Sequence, residues 1–307
     1  MRSSSKSLIV ALIVLLCGLL LILLPLVAKA DNARDWQNLP KDKNLIFGYY
    51  NNVKSNTDIS SALPVDGVSV DADVYIFRYA RTFDIDGRIS AVQIIQPYAS
   101  VSASLDNSRY FTGSLEHENI GDTQVIFAHN LFGAPALSEE QFRQWKPETF
   151  LSAAFWLTLP TGDYDRNNTI NIGANRWGFK PELAFGTPVG HSWIELNSWI
   201  NFYTDNKEYQ QNSRLEQRPL YALEGHWSYS LSPAFWLSLD GSWAKGGETR
   251  VDGVLQDDEQ ENVLLGGTVG FMLSPHFGGM VAYTDTVDRR QGSPDVATWT
   301  FRLQYLW

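Results

Sequence analysis

The chain has 307 residues, with 34 Asp and Glu against 24 Lys and Arg, 44% hydrophobic residues and 11 Trp. Its net charge of −10 argues against nucleic acid as a partner, since a phosphate backbone is gripped by clustered Lys and Arg. The one cysteine, Cys17, rules out an internal disulfide.

Residues 1–30 read as a cleaved signal peptide. Arg2 and Lys6 open it, residues 8–27 are almost purely apolar, and Ala28-Lys29-Ala30 places a small-x-small cleavage site before Asp31. Pro25 breaks the apolar helix just ahead of that site. The apolar stretch is long enough to span a membrane, so an uncleaved anchor is the competing reading. A lipoprotein anchor does not fit, because Leu16 rather than a small residue precedes Cys17. Cleavage leaves 277 residues without cysteine. Loss of Arg2, Lys6 and Lys29 takes the balance to 21 basic against 34 acidic residues, a net of −13. No later apolar run reaches the length of a membrane helix, and lipid admits only helices or closed barrels. Any further span therefore has to be built from strands.

Residues 31–44 are polar, with Trp36 and Pro40, and read as a periplasmic extension able to reach into a lumen as a plug. Strands are predicted over 45–53 and 69–83, with a loop over 51–67 between them. Asp84-Ile85-Asp86-Gly87 is a tight-turn signal, and 88–101 is its hairpin partner. The facing of that partner is ambiguous: Ile94 and Ile95 put bulk on both sides, and Pro97 marks a bulge or an edge. Residues 105–119 read as a surface loop and 123–132 as a strand. Ser138 and Gln141 then have capping-box spacing for a short helix. Further strands follow over 150–160, 177–188, 193–204, 220–231, 235–244, 263–273 and 277–286. The chain closes on Trp299-Thr300-Phe301-Arg302-Leu303-Gln304-Tyr305-Leu306-Trp307, where every odd residue is apolar or aromatic. Side chains alternate across a strand. Arg at bilayer mid-depth costs roughly 2–4 kcal/mol, so Arg302 assigns the even face to the lumen.

These elements make twelve strands. Short turns at 84–87, 188–191, 231–233 and 273–275 alternate with long polar connections, the pattern of an all-β, antiparallel transmembrane β-barrel over 45–307 with its short turns in the periplasm. The location predicted is the outer membrane of a Gram-negative bacterium. The terminal strand ending in Trp307 resembles the signal read by the barrel-assembly machinery, which makes that machinery and outer-membrane lipid the predicted partners.

Several strings add to the pattern. They are Gly133-Ala134-Pro135-Ala136-Leu137-Ser138, Leu159-Pro160-Thr161-Gly162-Asp163-Tyr164, residues 171–183 with Asn171-Ile172-Gly173-Ala174-Asn175-Arg176-Trp177, Gln217-Arg218-Pro219-Leu220-Tyr221, and 246–254. Together they resemble the outer-membrane barrel family called "putative meta-pathway of phenol degradation", over most of 47–307. The resemblance implies a porin-like transporter for uptake of small hydrophobic or aromatic molecules.

Strand parity turns Arg176, Lys180 and Glu182 inward, then Trp193, Glu195 and Asn197, then Glu224, His226 and Ser228, then Asp240, with Arg302 and Gln304 closing the ring. With Trp156 and Trp236, these line the expected path for a small apolar solute. The same charges could instead pair with one another and fill the lumen, giving a structural or interaction barrel. A third reading is a lipid hydrolase on Glu224, His226 and Ser228. Residues two apart on one strand face lie about 6.6–7 Å apart, too far for direct Ser–His contact. His117, His191 and His276 lack metal-ligand spacing. Asp163-x-Asp165-x-Asn167 has neither the glycine nor the distal glutamate of a calcium loop. No enzyme activity, cofactor or metal is expected.

Overall fold

The computed structural model describes residues 31–58, 67–106, 113–210 and 212–307. The predicted leader, and parts of the predicted loops 51–67 and 105–119, lie outside these residues. In chain order come β1 (Asn44–Asp58), β2 (Gly67–Ile85), β3 (Arg88–Asp106) and β4 (Ser114–Ile120). Next are β5 (Gln124–Phe132), the helix α1 (Glu139–Gln144), β6 (Phe150–Thr158), β7 (Gly178–Val189) and β8 (Ser192–Tyr203). The short β9 (Asn206–Tyr209) and β10 (Ser213–Gln217) precede β11 (Leu220–Ser232) and β12 (Phe235–Gly246). After β13 (Thr249–Val251) and β14 (Val254–Leu255) come β15 (Gln260–Met272), β16 (Phe277–Arg289) and β17 (Asp295–Leu306).

Twelve of these strands close a wall in the order β1-β2-β3-β5-β6-β7-β8-β11-β12-β15-β16-β17, each antiparallel to its neighbours. At the seam β1 pairs with β17 from Leu45–Leu306 to Asn56–Asp295. Asn44 and Trp307 exchange both backbone hydrogen bonds at 2.9 Å, so the first and last strands finish flush. Closure matters because an unpaired N–H or C=O facing hydrocarbon costs several kcal/mol.

The alternation decides which side each residue meets. Trp299, Phe301, Leu303, Tyr305 and Trp307 are exposed on the outer face, whereas Arg302 between them is buried. Phe235, Leu237, Leu239 and Trp243 repeat the pattern on β12. Outward aromatics collect toward one end of the wall, where Tyr50, Tyr75 and Tyr98 make a row and Tyr283 packs on Trp299 with ring centroids 4.8 Å apart. At the other end Tyr305 lies beside Trp307 and His276.

The end nearer Tyr305 carries the short turns. Asp86 and Gly87, both with positive φ, turn β2 into β3, a backbone state that an Asp-Gly pair enters with little strain. The exception at this end is the connection holding α1. Ser138 accepts from the Gln141 amide, and the Gln141 side chain accepts from the Ser138 amide. Lys43 and Arg143 both pair with Glu139, which ties the helix to the root of β1 and holds this exposed carboxyl below the usual carboxylate range.

Parts of the expected loops 51–67 and 105–119 are strand instead. β1, β2 and β3 run well past the tyrosine row, and β4, inside the predicted loop 105–119, pairs with the upper half of β3. The change of partner on β3 falls at Pro97, which has no N–H to donate and whose carbonyl accepts from Gly121. β4 shows no greasy face because Glu116 and Glu118 point outward beyond the aromatic row. The polar connections 205–218 and 246–258 also contain a small sheet, β14-β13-β10-β9, built over Tyr209, Leu215 and Val251.

Candidate functional site: a plugged lumen

The N-terminal segment sits inside the barrel. From β1 it runs back up the lumen from the short-turn end, so Asn38 lies near the rim and Asp31 deepest. Asn38 donates to the carbonyl of Pro135 at 3.0 Å. Arg34 donates from Nε to Ser228 and from Nη2 to Ser230, both at 2.9 Å, and its guanidinium lies 4.8 Å from the Trp236 ring centroid. The Arg34 amide donates to Glu195 at 2.9 Å. Asp35 pairs with Arg302 and lies 3.9 Å from Arg78. Trp36 packs against the cluster formed by Ile95, Ile126, Ala154 and Trp156, and its indole N–H donates to Asp31 at 3.2 Å. This segment is a plug with a dedicated partner on most faces of the wall.

Above it, the strand register builds a belt of charges and indoles. Trp156 on β6 stands opposite Lys180 on β7, and Glu182 opposite Trp199 on β8. Glu195 stands opposite His226 on β11, which in turn faces Asp240 on β12. The Lys180 ammonium lies 2.9 Å from Glu182, 3.7 Å from the Trp156 ring and 5.2 Å from that of Trp199. Trp199 donates to Glu224 at 2.8 Å. His226 Nδ1 lies 2.8 Å from Asp240, whose carboxylate also accepts from Ser238 and Thr268. Ionised groups out of water need partners; Glu182 and Asp240 have cationic or imidazole partners, and Glu195 and Glu224 accept from a backbone amide and an indole.

Of the residues predicted to line the path, Trp156, Lys180, Glu182, Glu195, Glu224, His226 and Asp240 come together in this belt. Trp236 and Arg302 lie lower, against the plug, and Trp193 packs on Phe150 near the short-turn end with ring centroids 5.9 Å apart. Arg176 was expected on a strand with Lys180 but precedes β7. It is buried at the opposite end, over the Tyr203 ring and bonded to Gln217. Sequence reasoning missed Trp199, although it shares parity with Trp193 and Glu195. It also missed Arg78 on the predicted strand 69–83, whose partner strand 88–101 has an ambiguous facing, and Arg34 and Asp35, which lie outside any strand pattern.

The mouth is narrowed by the connection between β6 and β7. Ile170 and Ile172 of that connection pack onto Val53, Val68, Val70, Val101 and Val296, an apolar core on the inner side of the overhanging strands. Asp122 holds both ends of the loop, accepting from the Gly162 amide at 2.8 Å and the Ala174 amide at 2.9 Å. Gly162 and Gly173 touch backbone to backbone, and a Cβ on Gly162 would stand 2.7 Å from the Asp122 nitrogen and 2.8 Å from the Gly173 Cα. Two of the strings that carried the family resemblance, 159–164 and 171–183, thus meet in this latch. Gly162→Ala or Asp122→Ala will loosen the loop, and limited trypsinolysis will then cut after the exposed Arg166 faster than in the parent protein. Identical cleavage rates would show that the latch does not hold the loop.

Between plug and mouth lies a cavity of about 160 Å³. Asp31, Asn32 and Asp35 floor it, and Ile76, Ile95, Trp156, Trp199, Ala222 and Ala282 are among its apolar walls. Glu224, His226 and Asp240 supply charge on one side. Ser228 is engaged by Arg34, and the carboxylate on His226 belongs to the neighbouring strand, an arrangement unlike the Glu224-His226-Ser228 relay considered for a hydrolase. Among the described residues no three His, Cys, Asp or Glu side chains form a metal-binding group.

A closed antiparallel wall, apolar and aromatic-rimmed outside and ion-paired inside, defines a transmembrane barrel of the bacterial outer membrane, surrounded by its lipid. Residues 52–300 match the family described as "Putative MetA-pathway of phenol degradation", and the chain belongs to that family. Similar structures include an outer membrane channel from Pseudomonas putida F1, at 22% identity over 91% of this chain and 100% of that one, with a TM-score of 0.77. The transport unit of autotransporter AIDA-I from Escherichia coli is 8% identical over 94% and 98% of the two chains, TM-score 0.56. The translocator domain of NalP from Neisseria meningitidis is 10% identical over 87% and 89%, TM-score 0.51. At such identities the likeness is one of fold. Comparison with curated protein sequences yields no match.

Proposed function

We propose that this barrel is a non-enzymatic channel through which small apolar or aromatic molecules cross the outer membrane. The cavity between plug and mouth carries the reading. Its volume of about 160 Å³ is close to that of an engineered cavity of about 150 Å³ that holds benzene. Two indoles and several aliphatic side chains offer an apolar surface, with a few charged groups to orient a hydroxyl or amine. The family description names phenol degradation, and the Pseudomonas putida relative is an outer membrane channel; both agree with this role. On this reading Trp156, Trp193, Trp236, Lys180, Glu182, Glu195, Glu224, His226, Asp240, Arg176 and Arg302 line or frame the route. The plug favours a resting state that is closed, so passage requires it to shift. In planar bilayers, benzyl alcohol should modulate the ionic current through the purified protein in a concentration-dependent way, and a disaccharide should not. A current indifferent to benzyl alcohol would sink the proposal.

We also assign to β17 and Trp307 the role of engaging the assembly machinery. Trp307 is exposed on the outer face at the end of the seam. Deleting it should lower the amount of heat-modifiable, folded barrel recovered from outer membranes, and an undiminished yield would count against the assignment.

A further inference from the structure

Three carboxylates meet at the top of the plug. Asp31, Glu182 and Glu224 are all buried, with residue exposures of 7%, 4% and 3%. One ammonium, that of Lys180, pairs directly with Glu182. Asp31 and Glu224 accept from the neutral indoles of Trp36 and Trp199, which satisfy hydrogen bonding without balancing charge. A carboxylate held away from water without a counter-charge is costly. Against this deficit stands one further observation: the backbone nitrogen of Asp31 lies 3.2 Å from Glu224 Oε2, and Asp31 borders the cavity. Asp31 is also the residue that follows Ala28-Lys29-Ala30.

We propose that processing of the Ala30–Asp31 bond creates the missing cation, with the Asp31 α-ammonium as the counter-ion of Glu224 that pins the plug. One water is consumed. Its oxygen joins the Ala30 carbonyl carbon as the C–N bond breaks, giving the Ala30 carboxylate, and both its protons end on the Asp31 nitrogen as –NH₃⁺. A single amide N–H becomes three donors and a full positive charge beside Glu224. The inference is independent of what the channel carries.

Intact-mass analysis of the protein purified from outer membranes should give a chain beginning at Asp31. The folded barrel and the urea-unfolded chain are then acylated with N-hydroxysuccinimidyl acetate, and the Asp31 amine is followed by peptide mass spectrometry. A neighbouring carboxylate that raises the amine's pKa by one unit lowers its reactive free-base fraction about tenfold, so the native amine should react at least about tenfold more slowly than the unfolded one. Glu224→Gln should remove most of that protection. Inserting Gly-Ser between Ala30 and Asp31 leaves Glu224 intact but moves the amine two residues along, and it should likewise expose the amine in a barrel that remains heat-modifiable. The second variant decides the matter where the first fails to fold. A mature chain starting elsewhere, a native amine as reactive as the unfolded one, or unchanged protection in the inserted variant would overturn the proposal.

Discussion

A chain lacking residues 31–38 will conduct ions several-fold better than the parent protein in planar bilayers. The deletion ends just before Leu39, so it spares the amides of Lys41, Asp42 and Lys43, which hydrogen-bond to Leu137 and Thr82 at the rim. What it removes is the material inside the lumen: the Arg34 side chain spread over Trp236, the Asp35 carboxylate between Arg302 and Arg78, and the Trp36 indole against Trp156. The wall does not need the plug to close, since its twelve strands complete their hydrogen bonds with one another. A milder version should follow from Asp35→Asn, which weakens the link to Arg302 and Arg78 and should produce longer or more frequent open events. Equal conductance for the deleted and parent chains would mean that the segment does not obstruct the path.

Lys180→Met will lower the stability of the barrel by about 3–5 kcal/mol, the range for stranding one member of a buried ion pair. Lys180 and Glu182 are almost wholly inaccessible, and the ammonium also faces the Trp156 and Trp199 rings. Methionine keeps much of the volume but leaves Glu182, Glu224 and Asp31 crowded without that charge. Adding Glu182→Gln to Lys180→Met should restore part of the loss, since it removes one stranded carboxylate while the other two remain. Urea midpoints measured in lipid vesicles, read by the gel shift of the folded barrel, test both arms. A single variant as stable as the parent would show that the pair contributes nothing; a double variant no better than the single would show that Glu182 is not the group left stranded.

Much of the wall was legible because lipid imposes a strict two-residue period. Where the outer face meets hydrocarbon, as at Phe235, Leu237 and Leu239 or along Trp299–Trp307, the greasy side is unbroken and the facing of Arg302, Glu224 and Asp240 follows from parity. Asp86-Gly87 was legible for a local reason, since few residue pairs accept positive φ at both positions. The pattern fails beyond the tyrosine row. There β4 carries Glu116 and Glu118 outward, water replaces lipid, and a strand no longer has to look different from a loop. The hairpins around Leu215 and Val251 were hidden for the same reason.

By itself, then, the sequence determined that the chain makes an alternating-strand barrel, which side of most lipid-crossing strands is wet, and that Lys180, Glu182, Glu195, Glu224, His226, Asp240 and Arg302 lie in the lumen. These follow from backbone geometry and from the cost of charge in hydrocarbon, and both act one strand at a time. Only the tertiary structure decided which residues meet. Register set Lys180 against Trp156 and His226 against Asp240, while the two ends of the β6–β7 connection, at Gly162 and Ala174, converged on Asp122. The N-terminal segment found partners on β2, β8, β11 and β17 at once. Contacts of this kind depend on how far each strand slides along its neighbour and on where a non-periodic segment comes to rest, and neither leaves a period in the sequence.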